Sequence, residues 1–514
     1  MGSELHETVL AGTEGDTGPD FFSDLVLNTV PSFPLKTYLP DLARIEWAVF
    51  QAGDPQHDLK QPPVALQVNP TLSLLETSWP GLADHFKDNS IADAALKKGE
   101  EIVLIWRDPE TAAIHVQAAA KGDLLALKIV AEELDLLTIR RSEDIALSFL
   151  TGVMDRAVAK GLLLKPRSLL VRDPSLFASE HKPLERYLTA RVFTLQWHIT
   201  QACDLSCRHC YDRSSRSQVT LPAGLAILDD MAAFCRSRNV AGQITFTGGN
   251  PLLHPEFLDL YQAALDRGLV TAILGNPTRK DVLERICAVA KPEFYQVSLE
   301  GLQEHNDHIR GSGHFERALS FLEDLREMDI YAMVMLTLTR DNLDQVLPLA
   351  ERLQGLADGF FFNRLSMVGE GASLQTPGRQ EYRKFLDCFL AAAEANPVIG
   401  LKDNLINIVL EGNNRELFGG CAGYGCGAAF NFVSLLPDGE VHACRKFPSP
   451  IGNINENSFE EIYDSPEAVR YRQGPSDCRG CRIRHVCGGC LAVAYSHGMN
   501  VFQDRDPCCF IEES

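Results

Sequence analysis

Three cysteines, Cys203, Cys207 and Cys210, stand at Cys-x3-Cys-x2-Cys spacing directly after an apolar run, Val192 to Ile199. The run reads as a strand that delivers its carboxyl end into a loop. Three thiolates on so short a loop can converge on one face of a metal cluster. A [4Fe–4S] cube takes four ligands, which leaves one iron open to bind a small molecule and pass it an electron. A structural zinc site is the alternative. It would need a fourth ligand, and His198 or His209 could serve.

From about residue 190 the pattern alternates between strand and helix. It predicts strands at 193–200, 243–248, 270–275, 294–299, 331–338 and 359–366. Helices are predicted at 221–237, 255–267, 280–290, 315–328, 342–354 and 380–395. Strands separated by helices imply parallel βαβ units with right-handed crossovers. Sites in parallel barrels sit at the carboxyl ends of strands, where the cysteine loop begins.

Cys203, Cys207 and Cys210, with the ring of His209 just before the last cysteine, resemble the signature of radical S-adenosylmethionine (SAM) enzymes. The resemblance implies an α/β fold built on a partial (β/α)6 barrel. It implies a [4Fe–4S] cluster whose open iron chelates SAM, and an electron that cleaves the sulfonium to a 5′-deoxyadenosyl radical able to abstract hydrogen from a substrate. An electron donor such as flavodoxin or ferredoxin follows. The segment Thr247-Gly248-Gly249-Asn250 is similar to the family's Gly-Gly-Glu stretch at the SAM amino group, with Asn250 where Glu is common. Two glycines let backbone approach a ligand closely. Ser298-Leu299-Glu300-Gly301 and the following Ile309-Arg310-Gly311 resemble two further family segments. There Ser298 meets ribose or carboxylate, and Arg310 offers planar donors to the methionine carboxylate; a surface ion pair is the alternative for Arg310. The implied SAM contacts are therefore His209, Gly248, Gly249, Asn250, Ser298, Glu300 and Arg310. No catalytic base is identified.

Of the fifteen cysteines, Cys235, Cys287 and Cys388 fall in helical patterns and are expected as buried small hydrophobes. Nine crowd the end of the chain. Cys426, Cys444, the run Cys478-x2-Cys481-x5-Cys487-x2-Cys490, and Cys508 closely resemble a SPASM domain, which binds two auxiliary [4Fe–4S] clusters. That resemblance assigns Cys421, Cys426, Cys444 and Cys490 to one cluster and Cys478, Cys481, Cys487 and Cys508 to the other. Cys509 can replace Cys508, because spacing does not separate the adjacent pair. A pair of zinc knuckles is the alternative. Pro437-Asp438-Gly439 reads as a hairpin turn.

The first third of the chain carries no ligand cluster. Residues 1–34 read as a mobile or weakly helical start, and 39–50 as a helix with apolar positions near helical spacing. A loop with short strands follows over 54–79. Ile102–Trp106 and His115–Gln117 read as a hairpin, and helices are expected over 124–137 and 143–160. Leu39–Ala48 and Asp123–Glu132 look similar to the N-terminal regions of peptide-modifying radical SAM maturases. Three parts are expected: a mainly helical α+β domain over 1–185, for structure or peptide recognition, a radical SAM core over 186–400, and a SPASM-type iron–sulfur domain over 401–514.

Forty-eight basic residues against 69 acidic give a formal charge of −21. Such a surface argues against nucleic acid as a partner. No apolar run approaches membrane-spanning length. The start has neither a basic n-region nor an apolar h-region. With so many cysteines, this suggests metal or redox work in the cytoplasm rather than disulfides. The N-terminal look-alikes, the 193–200 entry and the Asp506-Pro507-Cys508-Cys509-Phe510 ending resemble maturases of cysteine-rich or selenocysteine-containing ("selenobiotic") peptides. The implied activity is radical modification of a ribosomally made precursor peptide. Two alternatives are a formylglycine-forming, sulfatase-maturase-like enzyme and a non-catalytic iron–sulfur or zinc protein that binds peptide. Arg445 counts against the former, because relatives of that kind place an Asp just after the third cysteine of the auxiliary set.

Overall fold

A computed structural model describes residues 37–54, 59, 63–87, 97–143, 145, 147–177 and 185–511. The expectation for 1–34 lies outside these residues. The chain divides into two compact units between Arg167 and Ser168.

The first unit begins with α1 (Leu39–Ala52) and β1 (Gln67–Val68). Next come β2 (Ser73–Thr77), α2 (Leu82–Lys87), β3 (Glu101–Arg107) and β4 (Ile114–Ala118). The helices α3 (Lys121–Ala131), α4 (Leu136–Glu143) and α5 (Leu147–Ala159) lead to β5 (Leu163–Leu164). Strands β2, β3 and β4 form an antiparallel sheet in that order, and β1 pairs with β5. Alternation along β3 sends Val103 and Ile105 into a core with α1, and Leu104 and Trp106 into a second core with α3 and α5. The expected continuous helix over 124–137 is two helices. Glu133 adopts a left-handed φ of 50°, and the Asp135 carboxylate accepts the N–H of Thr138, starting α4 afresh. On α1 the buried stripe is Ala43, Ile45, Ala48 and Ala52, while Phe50 is 70% exposed.

The second unit follows the expected alternation closely. Its first half runs β6 (Val192–Thr200), α6 (Leu221–Ser237), β7 (Ala241–Gly248), α7 (Phe257–Asp266), β8 (Val270–Leu274), α8 (Lys280–Val289), β9 (Tyr295–Ser298), α9 (Gln303–Arg310) and α10 (His314–Glu327). Then come β10 (Ala332–Leu338), α11 (Val346–Leu353), β11 (Gly359–Arg364), α12 (Arg379–Ala395) and α13 (Ile406–Gly412). Strands β6 to β11 are parallel neighbours in chain order, as a partial barrel requires.

The last hundred residues extend the same sheet. Strands β12 (Phe432–Leu435), β13 (Glu440–His442) and β14 (Pro450–Asn453) precede α14 (Phe459–Asp464), α15 (Pro466–Gln473) and α16 (Leu491–Ser496). Strand β12 pairs parallel with β6, and β13 and β14 continue antiparallel. The expected turn at Pro437–Gly439 joins β12 to β13, with Leu436 N–H bonded to the Glu440 carbonyl.

Strand β6 shows why the sheet positions a site. Phe193, Leu195, Trp197 and Ile199 are buried in the apolar core, each worth roughly 1.5–3 kcal/mol. The alternate residues Thr194, Gln196 and His198 face an internal cavity. Cys235 is buried as expected. Cys287 is only half-buried and Cys388 is exposed, a correction with a simple cause. The buried stripe of α12 runs through Tyr382, Phe385, Leu386, Phe389 and Leu390, and position 388 falls off it.

The carboxyl ends of β6 and β7 are drawn together by glycine. Gly248 has φ 143°, and a Cβ there would stand 2.1 Å from the Thr200 carbonyl oxygen; one on Gly249 would stand 2.3 Å from that of Ala202. The N–H groups of Gly249 and Asn250 donate to those same carbonyls at 2.9 and 2.7 Å. Gly248→Ala is therefore expected to destabilise the protein by about 1–3 kcal/mol in chemical denaturation. A change within about 0.5 kcal/mol would show that the close approach is dispensable.

Candidate functional site

A cavity of about 730 Å³ opens at the carboxyl ends of the parallel strands. Cys203, Cys207 and Cys210 line it, and so do Cys421, Cys426, Cys444 and Cys490. The cysteine loop is held from several sides. Asp204 accepts from Asn250 Nδ2 at 2.9 Å and Asn276 Nδ2 at 2.6 Å, at the ends of β7 and β8. Arg213 donates to the Cys207 carbonyl at 2.6 Å, and Arg208 N–H to that of Ile309 at 2.9 Å.

Two N–H donors approach the sulfurs themselves. Asn276 Nδ2 lies 3.6 Å from Cys203 Sγ, and Arg310 Nη1 lies 3.8 Å from Cys207 Sγ. Burial pushes the Cys207 thiol up, and the Arg310 cation opposes that. Cationic and N–H donors at sulfur favour the thiolate, the form that binds iron.

Glu300 organises the residues beyond the loop. Its Oε1 accepts from Arg310 Nη2 at 2.6 Å and lies 3.2 Å from His209 Nε2, while Oε2 accepts the N–H of Thr337 at 2.8 Å. The carboxyl is buried, which would raise its pKa, but His209 and Arg310 hold it well below the usual range. Gly248, Gly249, Ser298, His209 and Arg310 line the cavity. Glu300 and Asn250 stand behind them: Asn250 is 4% exposed, its amide engaged by Asp204 and Leu252.

Sequence reasoning named His198 and Arg445 separately but did not bring them together with Asp212 in the cavity. Arg445 pairs with Asp212 and lies over the Tyr211 ring at 4.8 Å. His198 is buried, and its Nδ1 has no hydrogen bond among the described residues. Burial first, then Arg445, keep its pKa well below the usual value, so the imidazole is neutral. Asp212, two residues past Cys210, was visible as a neighbour of the motif; the partner from 233 positions away was not.

The C-terminal cysteines fall into two foursomes. Cys426 is pushed up to about 12 by burial and then by Cys490, Cys421 and Cys444. Cys478 is pushed up to about 12 by burial and then by Cys481 and Cys509, and Cys487 is raised by burial and by Cys481, Cys509 and Cys478. The fold thus divides the adjacent pair. Cys481 is among the groups that raise Cys509, whereas among the described residues Arg364 and Asp506, and no other cysteine, act on Cys508.

Backbone polar groups favour the thiolate at several of these sulfurs. Gly489 N–H donates to Cys487 Sγ at 3.5 Å, and the backbone at Ala428, Lys446, Val493 and Ile511 lowers the thiols of Cys426, Cys444, Cys490 and Cys509. Such donors suit cluster thiolates. Among the described residues no three His, Cys, Asp or Glu side chains close on one point as ligands of a single ion would. A cube spreads its thiolates over four irons and does not ask for that convergence.

Buried polar groups tie the foursomes to the barrel. Arg364, the last residue of β11, donates Nη1 and Nη2 to the two Asp506 oxygens at 2.8 and 2.6 Å, and Nε to Asp403 at 2.8 Å. Asp506 also accepts the N–H groups of Cys490 at 2.8 Å and Cys508 at 2.9 Å. Asn404 donates to the Gly489 carbonyl at 2.5 Å and accepts from Cys421 N–H at 2.6 Å.

The radical SAM superfamily model matches residues 197–353, and an iron–sulfur cluster-binding domain, SPASM, matches residues 426–482. An AdoMet-dependent heme synthase of Methanosarcina barkeri is 28% identical over 345 residues, 62% of this chain and 96% of its own. The antilisterial bacteriocin subtilosin biosynthesis protein AlbA of Bacillus subtilis is 26% identical over 323 residues, 59% of this chain and 67% of its own. The structure of Streptococcus suis SuiB bound to S-adenosylmethionine superposes with a TM-score of 0.50 at 16% identity, covering 80% of this chain and 96% of SuiB. At that identity the likeness is one of fold. No helix among the described residues is long and apolar enough to cross a membrane.

Replacing Asp506 by Ala takes two hydrogen bonds and one of its two carboxylates from the buried Arg364 guanidinium, leaving Asp403 alone to compensate it. A loss of about 3–5 kcal/mol in chemical denaturation is expected, and parent-like stability would contradict the clamp. The chain carries a radical SAM domain over residues 197–353 and a SPASM iron–sulfur cluster-binding domain over residues 426–482, and its relatives include both heme synthases and peptide maturases.

Proposed function

We propose that this enzyme modifies a ribosomally made precursor peptide. The observation that carries the proposal is the extent of the likeness to SuiB. It covers 80% of the chain, more than residues 168–514 make up, so it takes in part of the first unit. The heme-synthase likeness, at 62%, needs none of it. SuiB has a structure bound to its precursor peptide SuiA, again at a TM-score of 0.50. A unit beyond the SAM and cluster domains suits a long substrate that has to be held while one of its atoms reacts. The resemblances in the first unit and at the chain's end narrow the peptide to a cysteine-rich or selenocysteine-containing one, handled in the cytoplasm with flavodoxin or ferredoxin as reductant.

Within this reading Cys203, Cys207 and Cys210 hold the SAM cluster. When bound, that cluster supplies the electron that cleaves SAM and so the radical that abstracts hydrogen. His209, Gly248, Gly249, Ser298 and Arg310 line the SAM side, with Glu300 and Asn250 fixing their positions. Cys421, Cys426, Cys444 and Cys490 hold one auxiliary cluster. Cys478, Cys481 and Cys487 hold the other, with Cys509 in place of Cys508. Arg445 is cationic and committed to Asp212, so it does not offer the base that a formylglycine-forming relative would need there.

A tetrapyrrole substrate is the second reading, favoured by the heme-synthase relative. Mass spectrometry after co-expression with a candidate precursor peptide separates the two. A mass change confined to the peptide is expected; turnover of an iron porphyrin with the peptide untouched would overturn the proposal. Replacing Cys203, Cys207 and Cys210 together by Ala is expected to abolish 5′-deoxyadenosine formation, and undiminished formation would contradict the cluster assignment. Cys509→Ser is expected to remove one auxiliary cluster by electron paramagnetic resonance while Cys508→Ser keeps it; the reverse would restore Cys508 as ligand.

A further inference from the structure

The two C-terminal foursomes meet at a place rich in buried arginine. Cys426 N–H donates to the Cys487 carbonyl at 3.0 Å, so one ligand from each foursome is joined by backbone. Both line a small cavity, about 30 Å³, together with Arg172, Arg472 and Arg484. Arg172 is 9% exposed and Arg484 is 6% exposed. Arg172 Nη2 donates to the Cys426 carbonyl at 2.6 Å, and its guanidinium lies over the Phe430 ring at 4.8 Å. Arg484 Nη2 donates to the Gln473 carbonyl. Arg172 Nε and Arg484 Nη1 have no hydrogen bond among the described residues.

What these two arginines lack is a carboxylate. Elsewhere this acidic chain pairs its buried arginines: Arg310 with Glu300, and Arg364 with Asp403 and Asp506. Among the described residues no such pair forms at Arg172 or Arg484. Burial lowers both guanidiniums; Arg484 lowers Arg172 further, and Arg479 lowers Arg484. The groups that raise them are Cys426, then Tyr463 and Tyr424, for Arg172, and Cys478 and Cys481 for Arg484. Burying two like charges side by side is strongly unfavourable unless an anion compensates them. Among the described residues the polypeptide places no carboxylate in that role, only cysteine sulfur and, at Arg172, two tyrosine hydroxyls. Four thiolates around a cube leave it anionic, and one-electron reduction makes it more so. A fixed cation beside it therefore stabilises the reduced form.

We propose that Arg172 and Arg484 are built-in counter-cations of the two auxiliary clusters, Arg172 serving the Cys426 cluster and Arg484 the Cys478–Cys481 cluster, and that they raise the reduction potentials of both. The proposal rests on the reading that both foursomes hold iron–sulfur clusters. No bond forms or breaks; only the one-electron couple of each cluster shifts. In a protein of charge −21, such cations keep the auxiliary sites able to accept an electron.

The test is a redox titration of the anaerobically reconstituted full chain, followed by electron paramagnetic resonance. Arg172→Gln and Arg484→Gln are each expected to lower the potential of one auxiliary signal. The expected size is about a tenfold fall in the ratio of reduced to oxidised cluster at fixed poise, or about 59 mV for a one-electron couple. Arg172→Lys and Arg484→Lys keep the charge and are expected to retain most of the parent potential. Unchanged potentials in the Gln variants, or equal shifts in Gln and Lys variants, would overturn the proposal. If the neutral variants fail to load clusters while the Lys variants load them, the charge requirement is upheld; failure of both overturns it. A parent protein showing only the SAM-cluster signal would refute the cluster reading itself, and is told apart by its missing auxiliary signals.

Discussion

The bidentate pair between Arg364 and Asp506 is the joint on which the second unit depends. Arg364 ends the last barrel strand, and Asp506 lies 142 positions later, in the segment that closes the cluster domain. Both side chains are almost wholly buried, at 2% and 1% exposure. A planar guanidinium meets a carboxylate with two parallel hydrogen bonds, which fixes orientation as well as distance. The same carboxylate holds the backbone of Cys490 and Cys508. One ion pair thus sets where the first auxiliary foursome stands relative to the barrel. Its energetic worth lies in not being broken: the intact pair offsets its own desolvation, whereas Asp506 without Arg364 would be a buried charge with no cation, and Arg364 without Asp506 would keep only Asp403.

Continuity of the sheet has the same consequence. Strand β12 adds to β6 in parallel, with Val433 opposite Leu195 and Leu435 opposite Trp197. The strand that delivers the Cys203 loop is therefore the strand on which the cluster domain is built. Three cysteines of the loop and four from the C-terminal region come to line one cavity. A substrate held there would stand between the site of SAM cleavage and an auxiliary cluster, an arrangement suited to radical chemistry that ends with electron transfer out of the product.

Much of this was legible in the chain itself. The parallel barrel strands were readable because each is a short apolar run set off by an amphipathic helix, and α6 was expected at 221–237, as found. The Cys loop declared itself by spacing. What stayed hidden was made by residues far apart in sequence. Asp212 with Arg445, Arg364 with Asp506, and Arg172 beside Cys426 carry no local pattern. The choice between Cys508 and Cys509 was closed to spacing, because adjacent residues differ only in the direction their side chains take after Asp506. The break between α3 and α4 was missed for a different reason. Leu134 and Leu136 continue an apolar pattern, and the left-handed turn at Glu133 interrupts it without glycine or proline.

The most direct test of the whole account is the iron and acid-labile sulfide content of the anaerobically reconstituted enzyme, read together with its Mössbauer spectrum. Three four-iron clusters predict about twelve irons and as many sulfides per chain, all in tetrahedral sulfur-rich sites. About four irons per chain, with zinc making up the remaining thiolate sites, would contradict the account.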